Sequence, residues 1–130
     1  MPEIPAVPAV WRFPAHPASA GRARQAVTAT TPQWLRTELG LITSELVTNA
    51  IRHGTRPDDL VELVLWAADG HYWLAVSDPG DGKPSMGQRV PPDAESGRGL
   101  LLVDALAAAW GVVPRPYRGK SVVAGLAFPA

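Results

Sequence analysis

The sequence predicts an α+β two-layer sandwich within the broad α/β class, in which helices cover one face of a mostly antiparallel mixed sheet. Two observations predict this class. The dipeptide Asp69-Gly70 separates two alternating apolar runs, which is a strong hairpin signal. Residues 32–53 carry apolar side chains at helical spacing. A doubly wound parallel sheet would instead need alternating strand–helix crossovers, which the pattern lacks.

Length and charge restrict the classes of protein that fit. The chain has 130 residues, which suits one domain over residues 10–130 after a Pro- and Ala-rich tail at 1–9. It lacks cysteine, which excludes disulfides and thiolate chemistry. Twelve basic side chains balance twelve acidic ones, so neither nucleic acid nor a membrane is an expected partner. We expect a cytoplasmic protein, since no secretory signal is visible, and the low charge permits a homodimer.

The N-terminal half predicts an edge strand followed by two helices. Residues 10–13 form the strand, which Pro14 ends. Residues 17–30 form the first helix. In the second helix Thr31 is the expected hydroxyl cap, Pro32 occupies the first position, and Gly54 follows the end at about residue 53. The apolar stripe of this helix consists of Leu35, Leu39, Ile42 and Leu46.

The C-terminal half predicts the remaining strands and one more helix. Two strands flank Asp69-Gly70, and the second leads directly into Asp78. Residues 83–96 contain three prolines and one glycine and show no hydrophobic periodicity, so we expect a mobile and functional loop. A third helix is predicted over residues 99–110, followed by strands at 112–116 and 121–128.

Glu45 and Asn49 lie one helical turn apart on the flank of the second helix. Glu45 lies about 80–100° from the centre of the apolar stripe and Asn49 about 40–60°, so both are expected to be half-buried. A carboxamide oxygen suits Mg²⁺, and a nearby carboxylate suits a general base. An ordinary solvated helix flank is the alternative. His53 continues this line, but its position favours a helix-end residue over a ligand.

Asp78 enters a turn of sequence Asp-Pro-Gly-Asp-Gly. A carboxylate there can accept a hydrogen bond from an exocyclic amine of a base, and Gly80 and Gly82 would let the backbone approach a flat ring. A plain turn is the alternative, because Asp, Pro and Gly are all turn residues. The turn lacks the spaced acidic ligands of a calcium loop.

Gly97-Arg98-Gly99-Leu100 precedes the third predicted helix. Exposed N–H groups at a helix start bind phosphate, and Arg98 adds a positive charge. The spacing fits neither a dinucleotide-binding fingerprint nor a P-loop. Near the C-terminus Gly119-Lys120-Ser121 reads as a hairpin turn, with a supporting phosphate or base contact from Ser121 as the alternative.

Together these segments resemble the sequence boxes of the GHKL, or Bergerat-fold, ATPases and kinases. Residues 45–54 (ELVTNAIRHG) resemble the N box, Asp78-x-Gly80-x-Gly82 the G1 box, and Gly97-x-Gly99-Leu100 the G2 box. The short length, Ala23-Arg24 and the closing segment 119–124 make the chain similar to the anti-sigma-factor serine kinases and their actinobacterial ATP-binding relatives. The resemblance covers residues 10–128.

This resemblance implies a Bergerat ATP-binding fold, ATP and Mg²⁺ as cofactors, and specific roles for the boxes. Asn49 would hold Mg²⁺, Glu45 would be the catalytic base, and Asp78 would read the adenine amine. The nucleotide-binding set would comprise Asn49, His53, Asp78, Gly80, Gly82, Gly97, Arg98, Gly99, Leu100 and Ser121. The implied activity is phosphorylation of a serine on an anti-anti-sigma (STAS) partner, with sequestration of a sigma factor. A non-catalytic ATP-binding module that sequesters its partner is the alternative.

Overall fold

The computed structural model describes residues 8–80, 103–115 and 119–127, and these form a five-stranded sheet with helices on one face. The strands are β1 (Ala9–Pro14), β2 (Leu60–Ala68), β3 (His71–Asp78), β4 (Ala109–Pro114) and β5 (Lys120–Ala127). The helices are α1 (Ser19–Ala29) and α2 (Arg36–Gly54), with a 3-10 turn at Gln33–Leu35 between them. The predicted α+β class is confirmed.

The sheet has the order β1-β2-β3-β5-β4, and every neighbouring pair is antiparallel. The hairpin between β2 and β3 closes through Asp69 and Gly70, whose φ angles are +53° and +72°. Two consecutive positive φ angles are typical of the type I′ turn, whose twist matches that of the flanking strands. This local signal fixes the register of β2 and β3, and through it the position of Asp78 at the end of β3.

The core lies between one face of the sheet and the two helices. Leu39, Ile42 and Leu46 of α2 are buried there, as the apolar stripe predicts. Alternate residues of β2 and β3 complete the core because successive side chains of a strand point to opposite faces. This packing fixes α2 across the sheet, with its C-terminal end beside the end of β3.

Two predictions about local structure are wrong. The third helix does not extend to Trp110: residues 103–106 are helical, whereas Ala109–Pro114 form β4 and pair with β5. Edge pairing overrides the helical propensity of the alanines there. Thr31 does not cap α2, because its hydroxyl donates to the Thr28 carbonyl at 3.3 Å and the 3-10 turn precedes α2.

Candidate functional site

The end of α2 and the end of β3 meet in very close contact. A Cβ at Gly54 would lie 2.3 Å from Cγ of Asp78, and a Cβ at Gly80 would lie 2.6 Å from Cα of Gly54. Both distances are too short for real atoms, so this approach requires glycine at both positions. The buried carboxylate of Asp78 therefore lies directly against the backbone at the end of α2.

Two hydrogen-bond donors hold the Asp78 carboxylate. The backbone N–H of Gly80 donates to Oδ1 at 2.9 Å, and Nζ of Lys120 donates to the same oxygen at 3.0 Å. The side chain of Asp78 is 2% exposed. Burial raises the pKa of Asp78 above its ordinary value of 3.8, while Lys120, Gly80 and the charge of Arg115 act to lower that pKa.

This raised pKa predicts how the stability of the protein depends on pH. The folded state binds the Asp78 proton more tightly than the unfolded state, so the contribution is fully present below about pH 3.8 and is lost as pH rises through the folded-state pKa. We expect the free energy of unfolding of the unmodified protein, relative to Asp78→Asn, to fall across that window. Urea denaturation of both proteins at several pH values measures it. A difference that rises with pH would contradict the prediction.

The flank of α2 carries the other polar groups of the site. Glu45 and Asn49 are both half-buried, as the helical geometry predicts. The side-chain oxygen Oδ1 of Asn49 is the one buried side-chain polar atom in the described residues that has no hydrogen-bond partner. His53, one turn later, is exposed. Because buried polar atoms are nearly always satisfied, the unpartnered Asn49 oxygen is a candidate ligand atom.

Lys120, and not Ser121, lies beside Asp78. Ser121 pairs in register with Ser77, and their hydroxyl oxygens are 2.6 Å apart. Asp78 pairs with Lys120, one residue along each strand. Since adjacent strand residues point to opposite faces, the Ser121 side chain lies on the face away from the Asp78 carboxylate. The nucleotide contact from Ser121 stays a prediction.

Sequence reasoning missed three residues of this site. Gly54 is predicted as the end of a helix and of the N-box segment, and Gly119 and Lys120 as a turn that opens the closing segment 119–124, with no contact to Asp78 predicted for any of them. Gly119 has φ +87°, and a Cβ there would lie 2.0 Å from the carbonyl oxygen of Asp78. The strand register would have revealed Lys120, because an antiparallel partner of Asp78 must share its face.

Part of the predicted site falls on residues that the structure does not describe. These are Gly82, Gly97, Arg98, Gly99 and Leu100, together with the loop at 83–96. The structure brings together Asp78 and Gly80 at the end of α2, the helix that carries Glu45, Asn49 and His53.

The described side chains fit a cation that takes most of its ligands from elsewhere. Within residues 8–80, 103–115 and 119–127, no group of three or more His, Asp or Glu side chains is placed to hold a metal ion. Mg²⁺ commonly takes one or two protein ligands and completes its shell with phosphate oxygens and water. The single buried oxygen of Asn49 fits that requirement, and Asn49 is the residue that would hold the ion.

The antiparallel sheet, the helices on one face and the carboxylate at the end of β3 are compatible with a nucleotide-binding ATPase domain. The sequence model of the histidine kinase-like ATPase domain family matches residues 13–123. The chain belongs to this family, whose members are GHKL-type ATP-binding domains.

A solved structure shares the fold. The histidine kinase domain of the blue-light activated histidine kinase from Erythrobacter litoralis EL346 matches with a TM-score of 0.58 and 23% sequence identity. The match covers 89% of this chain and 62% of that one, so the chain spans less than two thirds of the solved domain. At this identity the similarity shows the fold alone. No curated protein is significantly similar to the chain in sequence.

Whether the chain contains a membrane-spanning helix is a question separate from the nucleotide site. None of the helices in the described part of the chain is both long and apolar enough to cross a membrane.

Proposed function

We propose that the chain is a cytoplasmic ATP-binding regulatory protein with protein-serine kinase activity of the anti-sigma-factor type. It would transfer the γ-phosphate of ATP to a serine of a STAS anti-anti-sigma partner and would bind a sigma factor, as a homodimer. Family membership supports ATP binding and kinase-like activity in general. The serine specificity and the partners rest on the sequence boxes and on the similarity to anti-sigma-factor kinases.

One observation carries the proposal of a Mg-ATP site: the buried and unpartnered oxygen of Asn49. It lies on the helix whose end contacts Asp78, the carboxylate suited to an adenine amine. A folded protein rarely leaves such an atom unsatisfied, because the desolvation cost is about 1–3 kcal/mol. Coordination of a cation by this oxygen would remove that cost when the nucleotide is bound.

The chain's own residues would divide the work of phosphoryl transfer. Mg²⁺ held at Asn49 would offset the negative charge of the transferred phosphoryl group. Glu45, one turn before Asn49, would accept the proton of the attacking serine hydroxyl. The serine Oγ–Pγ bond forms, the bond from Pγ to the bridging oxygen breaks, and that oxygen leaves with ADP. Asp78 would orient the nucleotide by accepting a hydrogen bond from its adenine amine.

The experiment that tests the site is a calorimetric titration with ATP, with and without Mg²⁺. It is carried out on the unmodified protein and on Asn49→Ala. We expect Mg-dependent binding by the unmodified protein. Loss of one ligand to the ion corresponds to about 1.5–3 kcal/mol, so Asn49→Ala should bind Mg-ATP about 10- to 100-fold more weakly.

A matched control removes a carboxamide elsewhere. Gln25 lies on α1 and is exposed, so Gln25→Ala should bind Mg-ATP like the unmodified protein. An Asn49→Ala protein with unchanged affinity and unchanged Mg²⁺ dependence would exclude Asn49 as the metal ligand. Failure of the unmodified protein to bind millimolar ATP would overturn the proposed function itself.

A further inference from the structure

The site contains a buried ion pair that the nucleotide-binding roles described above do not use. Asp78 and Lys120 are the two buried residues with acidic or basic side chains in the part of the chain that the structure describes. Their side chains are 2% and 11% exposed, and Nζ lies 3.0 Å from Oδ1. Removing both charges from water is costly, and a buried pair often contributes no net stability. Such a pair therefore calls for a role other than holding the fold together.

Backbone geometry places the Lys120 ammonium beside this carboxylate. Lys120 is the first residue of β5 and pairs in register with Asp78 at the end of β3. The preceding residue, Gly119, passes directly against the Asp78 backbone, and its carbonyl accepts a hydrogen bond from the N–H of Arg115 at 3.0 Å. The backbone at Lys120 is thus fixed by its pairing with β3 and by the hydrogen bond at the preceding residue, Gly119.

The hydrogen bonds to Asp78 are unevenly distributed between its two oxygens. Lys120 and the Gly80 N–H both donate to Oδ1, and Oδ2 accepts neither of these bonds. Lys120 and the Gly80 N–H therefore both orient the carboxylate through Oδ1, and neither of these two bonds uses Oδ2. An ionised carboxylate only accepts hydrogen bonds, whereas a protonated carboxyl can also donate one.

The charge state of Asp78 depends on a balance that Lys120 influences. Burial favours the neutral carboxyl, and the hydrogen bond and charge of Lys120 are the strongest influences in the opposite direction. The Gly80 N–H and the charge of Arg115 also favour the ionised form. From α2, Gly54 faces the carboxylate, and the neighbouring Arg52 and His53 are exposed. Removal of the Lys120 ammonium would leave a buried carboxyl that takes up a proton at higher pH.

We propose that Lys120 determines base specificity: by holding Asp78 as an acceptor, it makes the site select a purine with an amino group at C6 over one with a carbonyl group there. This inference rests on the proposed function, because it assumes that Asp78 contacts the base. Without Lys120, a protonated Asp78 could donate to a C6 carbonyl, and the discrimination would fall.

The test compares ATP with inosine triphosphate (ITP), in which a carbonyl replaces the C6 amino group. Binding of each Mg-nucleotide is measured by calorimetry at about pH 6 and about pH 8, one pH below and one above neutrality, and both below the pH at which the base of ITP loses its ring proton. The proteins are the unmodified chain, Lys120→Met, and Lys120→Arg, which keeps the positive charge. Arg12→Met is the matched control, because it removes an ion pair of 2.9 Å to Glu62, which pairs with Ser77 and so lies on the face of the sheet opposite the Asp78 side chain.

We expect the unmodified protein, Lys120→Arg and Arg12→Met to prefer ATP over ITP by roughly tenfold to hundredfold at both pH values. In Lys120→Met the preference should fall about tenfold or more at the lower pH and recover at the higher pH. A role in stability alone would weaken both nucleotides equally and would leave their ratio unchanged.

Two outcomes separate the inference from the proposed function. If the unmodified protein binds neither nucleotide, the proposed function fails. If it prefers ATP and Lys120→Met keeps the same preference at both pH values, the role of Lys120 is overturned.

A measurement on the unmodified protein keeps the test decisive if Lys120→Met does not fold. The carboxyl carbon of Asp78 is titrated by nuclear magnetic resonance toward acid pH, and the preference for ATP over ITP is measured at the same pH values. We expect the preference to fall as Asp78 takes up its proton. A preference that stays constant through this titration would contradict the inference.

Discussion

Replacement of Glu45 by glutamine is expected to slow phosphoryl transfer about 100- to 10,000-fold, which is the usual contribution of a positioned general base. Glutamine keeps the size of the side chain and removes the group that would accept the serine proton. Affinity for Mg-ATP should remain near that of the unmodified protein, because Glu45 is assigned no contact with the nucleotide. The measurement follows labelled γ-phosphate into a STAS-domain protein and into free phosphate.

A second glutamate on the same helix provides the control for this prediction. Glu38 lies in the first turn of α2 and is exposed, so Glu38→Gln should transfer phosphate at the unmodified rate. A Glu45→Gln protein that transfers as fast as the unmodified protein would exclude Glu45 as the base. If the unmodified protein binds Mg-ATP and yet neither transfers nor hydrolyses it, the non-catalytic module becomes the better description.

Substitution of Gly54 by alanine is expected to disrupt the site from the end of α2. The new Cβ would lie 2.3 Å from Cγ and from Oδ1 of Asp78, so the carboxylate must move. Movement of the carboxylate would break its hydrogen bonds from the Gly80 N–H and from Lys120. Overpacking of this kind costs about 1–3 kcal/mol, and loss of the adenine contact should weaken ATP binding about 10- to 100-fold.

Gly21 offers a matched control for this substitution. It lies in α1, and a Cβ there would meet no atom within 4 Å. Gly21→Ala, in the first turn of α1, should therefore stabilise the protein by up to about 1 kcal/mol, the upper value for glycine in a helix interior, and leave ATP binding unchanged. Urea denaturation and ATP calorimetry on both variants test the contrast. A Gly54→Ala protein that binds ATP normally would show that the contact between α2 and Asp78 does not matter for binding.

The sequence predicted the elements whose signals are local. The Asp69-Gly70 turn specified the hairpin, because two consecutive residues with positive φ suit that turn type. The apolar spacing on α2 placed Glu45 and Asn49 on a half-buried flank, where the structure has them. Both inferences depend on geometry within one or two turns of chain, which sequence patterns encode directly.

Features set by long-range pairing could not be predicted in the same way. The start of β4 at Ala109 depends on hydrogen bonds to β5, so local helical propensity gave the wrong boundary at Trp110. The position of Lys120 beside Asp78 depends on a register between distant strands. A shift of one residue reverses the face of every side chain in a strand.

The separation along the chain between Asp78 and Lys120 also concerns the order in which the molecule folds. These residues are 42 positions apart, whereas the hairpin between β2 and β3 closes over two residues. The entropy lost on loop closure grows with loop length, and contacts between distant residues slow folding. The Asp78 carboxylate therefore gains its lysine partner only when β5 joins the sheet. A ligand that binds this completed arrangement stabilises the whole domain against unfolding, and its binding reports that the chain has folded.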